Sequence, residues 1–279
     1  MSRLLSAYFV RLFKNKSFWL CNIFMIILAV VSQFMNWVQA VNYGSDPSPD
    51  TTFFFYSLFL GILLSAFISL FIGAEYSSGA MRNKLIIGHP RTAIYLSGLI
   101  TCIAASAVMC LFYLAAALAT GLPLSGFFDN DIRAVILTVL GIFFMGAAFS
   151  ALCTCIAMLC QSRAVTAVIN ILFVFILLFA AIYIRARLEQ PPTYQVLSYS
   201  AGESGVTGEN VTEMSNPMYL EGTEREVYEF MNDLLPTGQS VQYVNMEASD
   251  PILLMTYSAG ATVVITAVGI LLFRKKDLR

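Results

Sequence analysis

Six stretches of this chain are apolar enough, and long enough, to cross a lipid bilayer, and this constrains the fold more than any other feature. A helix needs about 20 apolar residues to cross ~30 Å of hydrocarbon, where no water satisfies backbone N–H and C=O groups. The runs lie at about Phe18 to Trp37, Phe53 to Ile72, Ala93 to Leu118, Ala134 to Cys160, Ala164 to Ile184 and Ile252 to Phe273. Only CQSRA, Cys160 to Ala164, separates the fourth from the fifth. Fused, these two would make an apolar run of roughly 50 residues, too long for one crossing, so a tight turn is expected there. With 58% hydrophobic and 12% charged residues and a mean hydropathy of +0.75, the composition lies outside that of soluble domains.

The charges orient the spans. Arg3, Arg11, Lys14 and Lys16 precede the first, Arg82, Lys84 and Arg91 lie between the second and third, Arg163 follows the fourth, and Arg274, Lys275, Lys276 and Arg279 close the chain. These are 12 of the 16 basic residues, accompanied only by Glu75 and Asp277. The other side carries Arg133, Arg185, Arg187, Arg225 and 15 of the 17 acids. The positive-inside rule therefore predicts cytoplasmic N- and C-termini, as an even number of crossings requires. All six cysteines lie in or at the edges of spans, so no disulfide framework is expected. Cys153 and Cys155 stand two apart on a helix and do not share a face, which argues for packing and against a metal site.

Residues 1–17 read as an interfacial helix. Leu4, Leu5, Tyr8, Phe9, Leu12 and Phe13 recur at helical spacing, with Arg3, Arg11 and Lys14 largely off that arc. A plain cytosolic extension of the first span is the alternative. Val38 to Ala40 resembles a cleavage site, but the apolar run before it is of full span length, which suits an uncleaved anchor.

The connection FIGAEYSSGAMRNKLIIGHPR, residues 71–91, interrupts two apolar runs with charge. Residues 75–87 can form a short helix carrying Glu75, Arg82 and Lys84, weakened at Gly79 and stopped by Gly88 and Pro90. It is either a lever for a cytoplasmic partner or a basic loop that sets topology.

The pattern Glu75, Tyr76, Gly79, Ala80, Arg82, Asn83, Lys84, Gly88, Arg91 resembles the connection between the second and third spans of ABC-2 type transporter permeases. Leu235 to Gln239, LPTGQ, is similar to an element found before the last span in many members, and the final FRKKDLR looks like their closing sequence. Ala80 stands where that family commonly has Thr, and Gly98 where Lys is frequent. The resemblance implies an all-α membrane protein of six transmembrane helices in a bacterial plasma membrane, preceded by an interfacial (elbow) helix. It implies a permease without ATPase activity of its own, working with separate ABC ATPase subunits that bind ATP and Mg, and with a second permease subunit, identical or related. Glu75, Tyr76, Gly79, Arg82, Lys84, Gly88 and Arg91 are the implied coupling residues. The chain has no G-x-x-x-x-G-K-[ST] phosphate loop, consistent with that division of labour. No cofactor in this chain and no nucleic acid partner are expected.

On this reading the chain divides into an interfacial segment 1–17, spans one to five over 18–184 with the coupling segment 73–91, an acidic extracytoplasmic segment 185–251, span six over 252–273, and a basic tail 274–279. No charged residue falls in the middle of a span, which speaks against an ion-driven carrier. Neutral polar residues remain, among them Asn22, Asn170 and Thr256, which either join helices or face a translocation path. An apolar, aromatic lining would suit a hydrophobic or cationic amphipathic cargo such as a peptide, an antibiotic or a lipid-like molecule. In the outer segment, Thr223 to Leu235 reads as an amphipathic helix with a Thr223–Glu226 capping box. Its 11 acids from Glu189 to Asp250 either attract a cationic cargo or simply solvate the surface. A six-span secondary carrier and a membrane scaffold or sensor are the competing classes.

Overall fold

The computed structural model describes residues 2–44, 48–160, 162–202, 205–248 and 250–276. Gln161 of the expected turn, Glu203 and Ser204 of the outer segment, and the last three residues of FRKKDLR lie outside them. A short helix α1 (Ser2–Phe13) leads into α2 (Lys16–Tyr43) and α3 (Tyr56–Ser77), followed by the short α4 (Ala80–Ile86). Then come α5 (Arg91–Ser125), α6 (Ile132–Leu159) and α7 (Arg163–Leu188). A hairpin of β1 (Thr193–Gly202) and β2 (Gly205–Ser215), α8 (Gly222–Leu234), α9 (Pro236–Val244) and α10 (Pro251–Lys275) complete the chain. Among the described residues, six helices are long and apolar enough to cross a membrane: α2, α3, α5, α6, α7 and α10. The chain is a multi-pass, all-α membrane protein, with one small antiparallel hairpin outside the bundle.

Local chemistry sets the helix ends. The Asn15 side chain accepts from the Ser17 N–H at 2.8 Å to start α2, and Asp250 accepts from the N–H groups of Ile252 and Leu253 to start α10. Helix α2 stops at Gly44 with φ 65°, the left-handed conformation that glycine adopts without strain. The spans run longer than their apolar cores. Helix α5 has 35 residues and α2 has 28, because interfacial residues continue the helix beyond the hydrocarbon-length run.

α3 and α6 are the central pair: α3 packs on α6 and α7, α5 packs on α2 and α6, and α10 lies along α6. Small residues permit close approach, as expected of apolar helices that must pack by contact alone. A Cβ at Gly61 would sit 2.8 Å from the Phe149 ring, and one at Gly146 would collide with Ser106 Oγ of α5. Gly146 and Ser150, four residues apart on α6, are thus used within the bundle, with Ser150 Oγ 3.4 Å from the Cys102 carbonyl.

The break expected at Cys160 to Ala164 is present, since α6 ends at Leu159 and α7 begins at Arg163, with Cys160 and Ser162 both extended. Two expectations are corrected, and one element is new. Glu75 to Ile87 is not one helix: α3 runs on through Ser77, and Gly79 at φ 71° separates it from α4. The capping box does not form, since Thr223 lies inside α8 behind Glu221 and no side chain caps that helix. The stretch after Pro192 is a hairpin, registered from Thr193 opposite Ser215.

Candidate functional site

One end of the bundle gathers α1, the end of α3, α4, the start of α5, the α6–α7 turn and the end of α10. At its centre the Glu75 carboxylate is almost wholly buried, 2% exposed. Burying a carboxylate is costly unless charge and hydrogen bonds compensate, and three donors do so here. Tyr8 Oη donates to Oε2 at 2.8 Å, Lys84 Nζ donates to Oε1 at 2.6 Å, and Arg11 Nη1 donates to that same oxygen. Arg11 Nη2 reaches the Phe71 carbonyl, and its guanidinium lies 4.5 Å from the Phe71 ring centroid. Lys84 Nζ stands 3.8 Å above the Tyr8 ring. One carboxylate thus ties the interfacial helix, a spanning helix and the short helix together. Beside it is a cavity of about 390 Å³ bordered by Ala7, Arg11, Ser78 and Ala80. Burial holds the Lys84 ammonium below its ordinary range, outweighing the opposite pull of Glu75. Burial, and then the adjacent Glu75 charge, push the Tyr8 phenol well above its ordinary range.

The sequence pattern contained Glu75 and Lys84 but missed Tyr8 and Arg11. Both stand 60 or more residues away, and Arg11 had been placed on the polar side of α1. The remaining motif residues are spread around the cluster. Gly79 and Gly88, at φ 71° and 94°, bracket α4. Arg82 is exposed and faces away. Tyr76 Oη donates to the Met158 carbonyl at 2.6 Å, covering the end of α6. Lys276 Nζ reaches the Met158 and Leu159 carbonyls and lies 5.3 Å from the Tyr76 ring centroid. Arg91 donates to the carbonyls of Phe273 and Arg274 in the last turn of α10 and of Lys276 just after it. These cations occupy helix C-termini, where unpaired carbonyls and the helix dipole favour positive charge. His89 follows α4, its N–H on the Lys84 carbonyl.

The intramembrane candidates separate clearly. Asn170 Nδ2 donates to Ser69 Oγ at 2.8 Å and to the Cys153 carbonyl at 3.2 Å, so it joins α7 to α3 and α6. Asn22 bonds the Phe18 carbonyl of its own helix. Thr256 spends its hydroxyl on the Leu253 carbonyl at 2.7 Å and borders an apolar cleft between α7 and α10. Thr101, Thr262 and Thr266 bond carbonyls four residues back.

At the opposite end, the LPTGQ element begins α9, a nine-residue helix sunk among α3, α6, α7 and α8. Gln239 is fully buried, and its amide donates to the Asp233 and Leu254 carbonyls while its oxygen accepts from Ser258 Oγ at 2.6 Å. Thr237 reaches the Leu177 carbonyl at 2.8 Å, and Ser57 donates to the Ser240 carbonyl at 2.9 Å. A Cβ at Gly238 would drive into the Asn232 backbone. Each polar letter of the element is therefore consumed inside the fold. No family model matches the chain, and a search of the curated proteins finds no match.

Proposed function

We propose that this protein is the permease subunit of an ATP-driven exporter, worked by a separate ABC ATPase that docks on the α4 end of the bundle. The observation that carries this reading is the Glu75 cluster. It couples α4, whose outward edge of Arg82, Asn83 and Ile86 continues into Ile87, to a central spanning helix. Ile86 and Ile87 are each 75% exposed beside a cation, an arrangement suited to a protein partner. A push on α4 would be carried through a buried, multiply bonded carboxylate into α3, and not absorbed by a loose loop. The resemblance of residues 75–91 to the ABC-2 permease connection supports the same assignment, as does the excess of basic residues at this end, which by the positive-inside rule favours the cytoplasmic side. A second permease subunit would complete the translocation path, and the apolar composition favours a hydrophobic or amphipathic cargo.

Purification of tagged protein from its native membrane in mild detergent, with mass spectrometry of what remains bound, tests the proposal. A stoichiometric ATPase is expected. Arg82→Glu should abolish its retention, at least about tenfold, while leaving thermal stability unchanged, because Arg82 supports nothing within the bundle. Functional protein that retains no ATPase in any detergent would leave a carrier or a scaffold.

A further inference from the structure

The cleft between α7 and α10 points to a second site. It encloses about 480 Å³. Leu152 of α6 forms its floor, Phe173 and Leu177 of α7 one wall, Tyr257 and Gly260 of α10 the other, and Leu235 its roof. None of the described residues lining it is charged. The Thr256 hydroxyl at its edge is already bonded to the Leu253 carbonyl, so the cleft presents no free polar group from that side chain.

Gly260 is the telling residue. Glycine inside a helix costs about 0.5–1 kcal/mol relative to alanine, and close helix packing is its usual reason. Gly269, on the same helix, has that reason, since a Cβ there would strike the Tyr95 ring. A Cβ at Gly260 would meet nothing within 4 Å. The glycine keeps space open instead of closing it.

We infer that this cleft binds a single acyl chain of a bilayer phospholipid. Its walls belong to α7 and α10, the spanning helices least covered by the rest of the bundle, so it opens directly into hydrocarbon. Its roof continues into α8, where Phe230 meets the Tyr257 ring edge-on at 5.8 Å and Val227 and Met231 lie half-exposed along the same helix. That gives an amphiphile a continuous apolar route from the membrane surface into the cleft. Size favours an alkyl chain over a helix from a partner or a second copy. One helical turn, ~5.4 Å long and about 10 Å across, already fills roughly 420 Å³, so the cleft could seat little more than a turn. A slender alkyl chain fits the same volume lengthwise. The site does not depend on an ATPase partner and stands or falls separately from the exporter assignment.

The test is photolabelling of the full chain in phosphatidylcholine nanodiscs carrying a trace of phosphatidylcholine with a diazirine in its acyl chain. Labelled peptides are mapped by mass spectrometry. Labelling per exposed residue is expected to be at least about threefold higher around Phe173 to Leu177 and Tyr257 to Val264 than on the lipid-facing side of α2. Gly260→Leu should reduce cleft labelling to half or less, while Gly260→Ala should leave it unchanged. Thr256→Phe fills the cleft from another position if Gly260→Leu fails to fold. Uniform labelling of α2, α7 and α10, labelling indifferent to both filling variants, or crosslinks between two copies at these positions would each overturn the inference.

Discussion

Glu75 is the residue whose environment differs most from what a spanning helix normally offers. Removing one partner of a wholly buried ion pair costs about 3–5 kcal/mol, but Arg11 and Lys84 are 33% and 20% exposed and regain water when the carboxylate is lost. Glu75→Gln should therefore destabilise the protein by about 2 kcal/mol, read as a lower unfolding midpoint in detergent, whereas Arg82→Glu at the exposed edge should not. An unchanged midpoint for Glu75→Gln would mean that the cluster does not hold α1 to the bundle. Glu75 and Lys84 were legible in the sequence because they sit in one short motif. Arg11 was not, because helical periodicity assigns a cation to the polar arc and has no term for a carboxylate brought in from a different span. Asn170 was legible only as needing a partner. Which partner it found, Ser69 and the Cys153 backbone, depends on helix packing that no local pattern encodes.

Among the elements, α4 has the least reason to exist alone. Seven residues are far too few for a helix to persist in water, where isolated helices need about 12–15. Its stability is borrowed from buried Met81, from the Lys84–Glu75 pair and from the two positive-φ glycines that fold it back against α3. Holding alanine at the φ of Gly79 costs about 1–2 kcal/mol. In Gly79→Ala, hydrogen exchange of the amides of residues 80–86 should accelerate roughly tenfold, with α5 unaffected. Equal protection in both proteins would show that the glycine is not what sets the break. The spanning helices were readable because apolar length alone decides them. The β1–β2 hairpin was not, because its Ser- and Gly-rich strands have neither a long apolar run nor strict alternation. Nor did the capping box survive: the S/T-x-x-E pattern at Thr223 is real, but the helix begins at Gly222, which puts Thr223 inside it.

Across the whole molecule the two ends of the bundle treat charge differently. At the α4 end, Arg91 and Lys276 are spent on helix carbonyls, and Lys84 and Arg11 share one carboxylate. At the α9 end, two of the basic residues are paired with acids, Arg185 with Glu189 and Glu247, and Arg225 with Glu229 at 2.9 Å. Asp50 there accepts from the backbone N–H groups of Asp129 and Asn130 at 3.0 and 2.9 Å, clipping the α2–α3 and α5–α6 connections together. The packing is thus consistent with alternate crossings that bring every second connection to the same end, and the surplus of cations at the α4 end predicts which side it occupies. In intact cells, a membrane-impermeant thiol reagent should label Glu224→Cys on α8 but not Arg82→Cys on α4, and Arg82→Cys should react only after permeabilisation. Both positions are exposed, while the native cysteines are buried or half-buried, so the signal should rise above the wild-type background. The reverse pattern would place α4 and its apolar edge outside the cell. No ATP-driven partner could then reach it, and the exporter proposal would fail on topology alone.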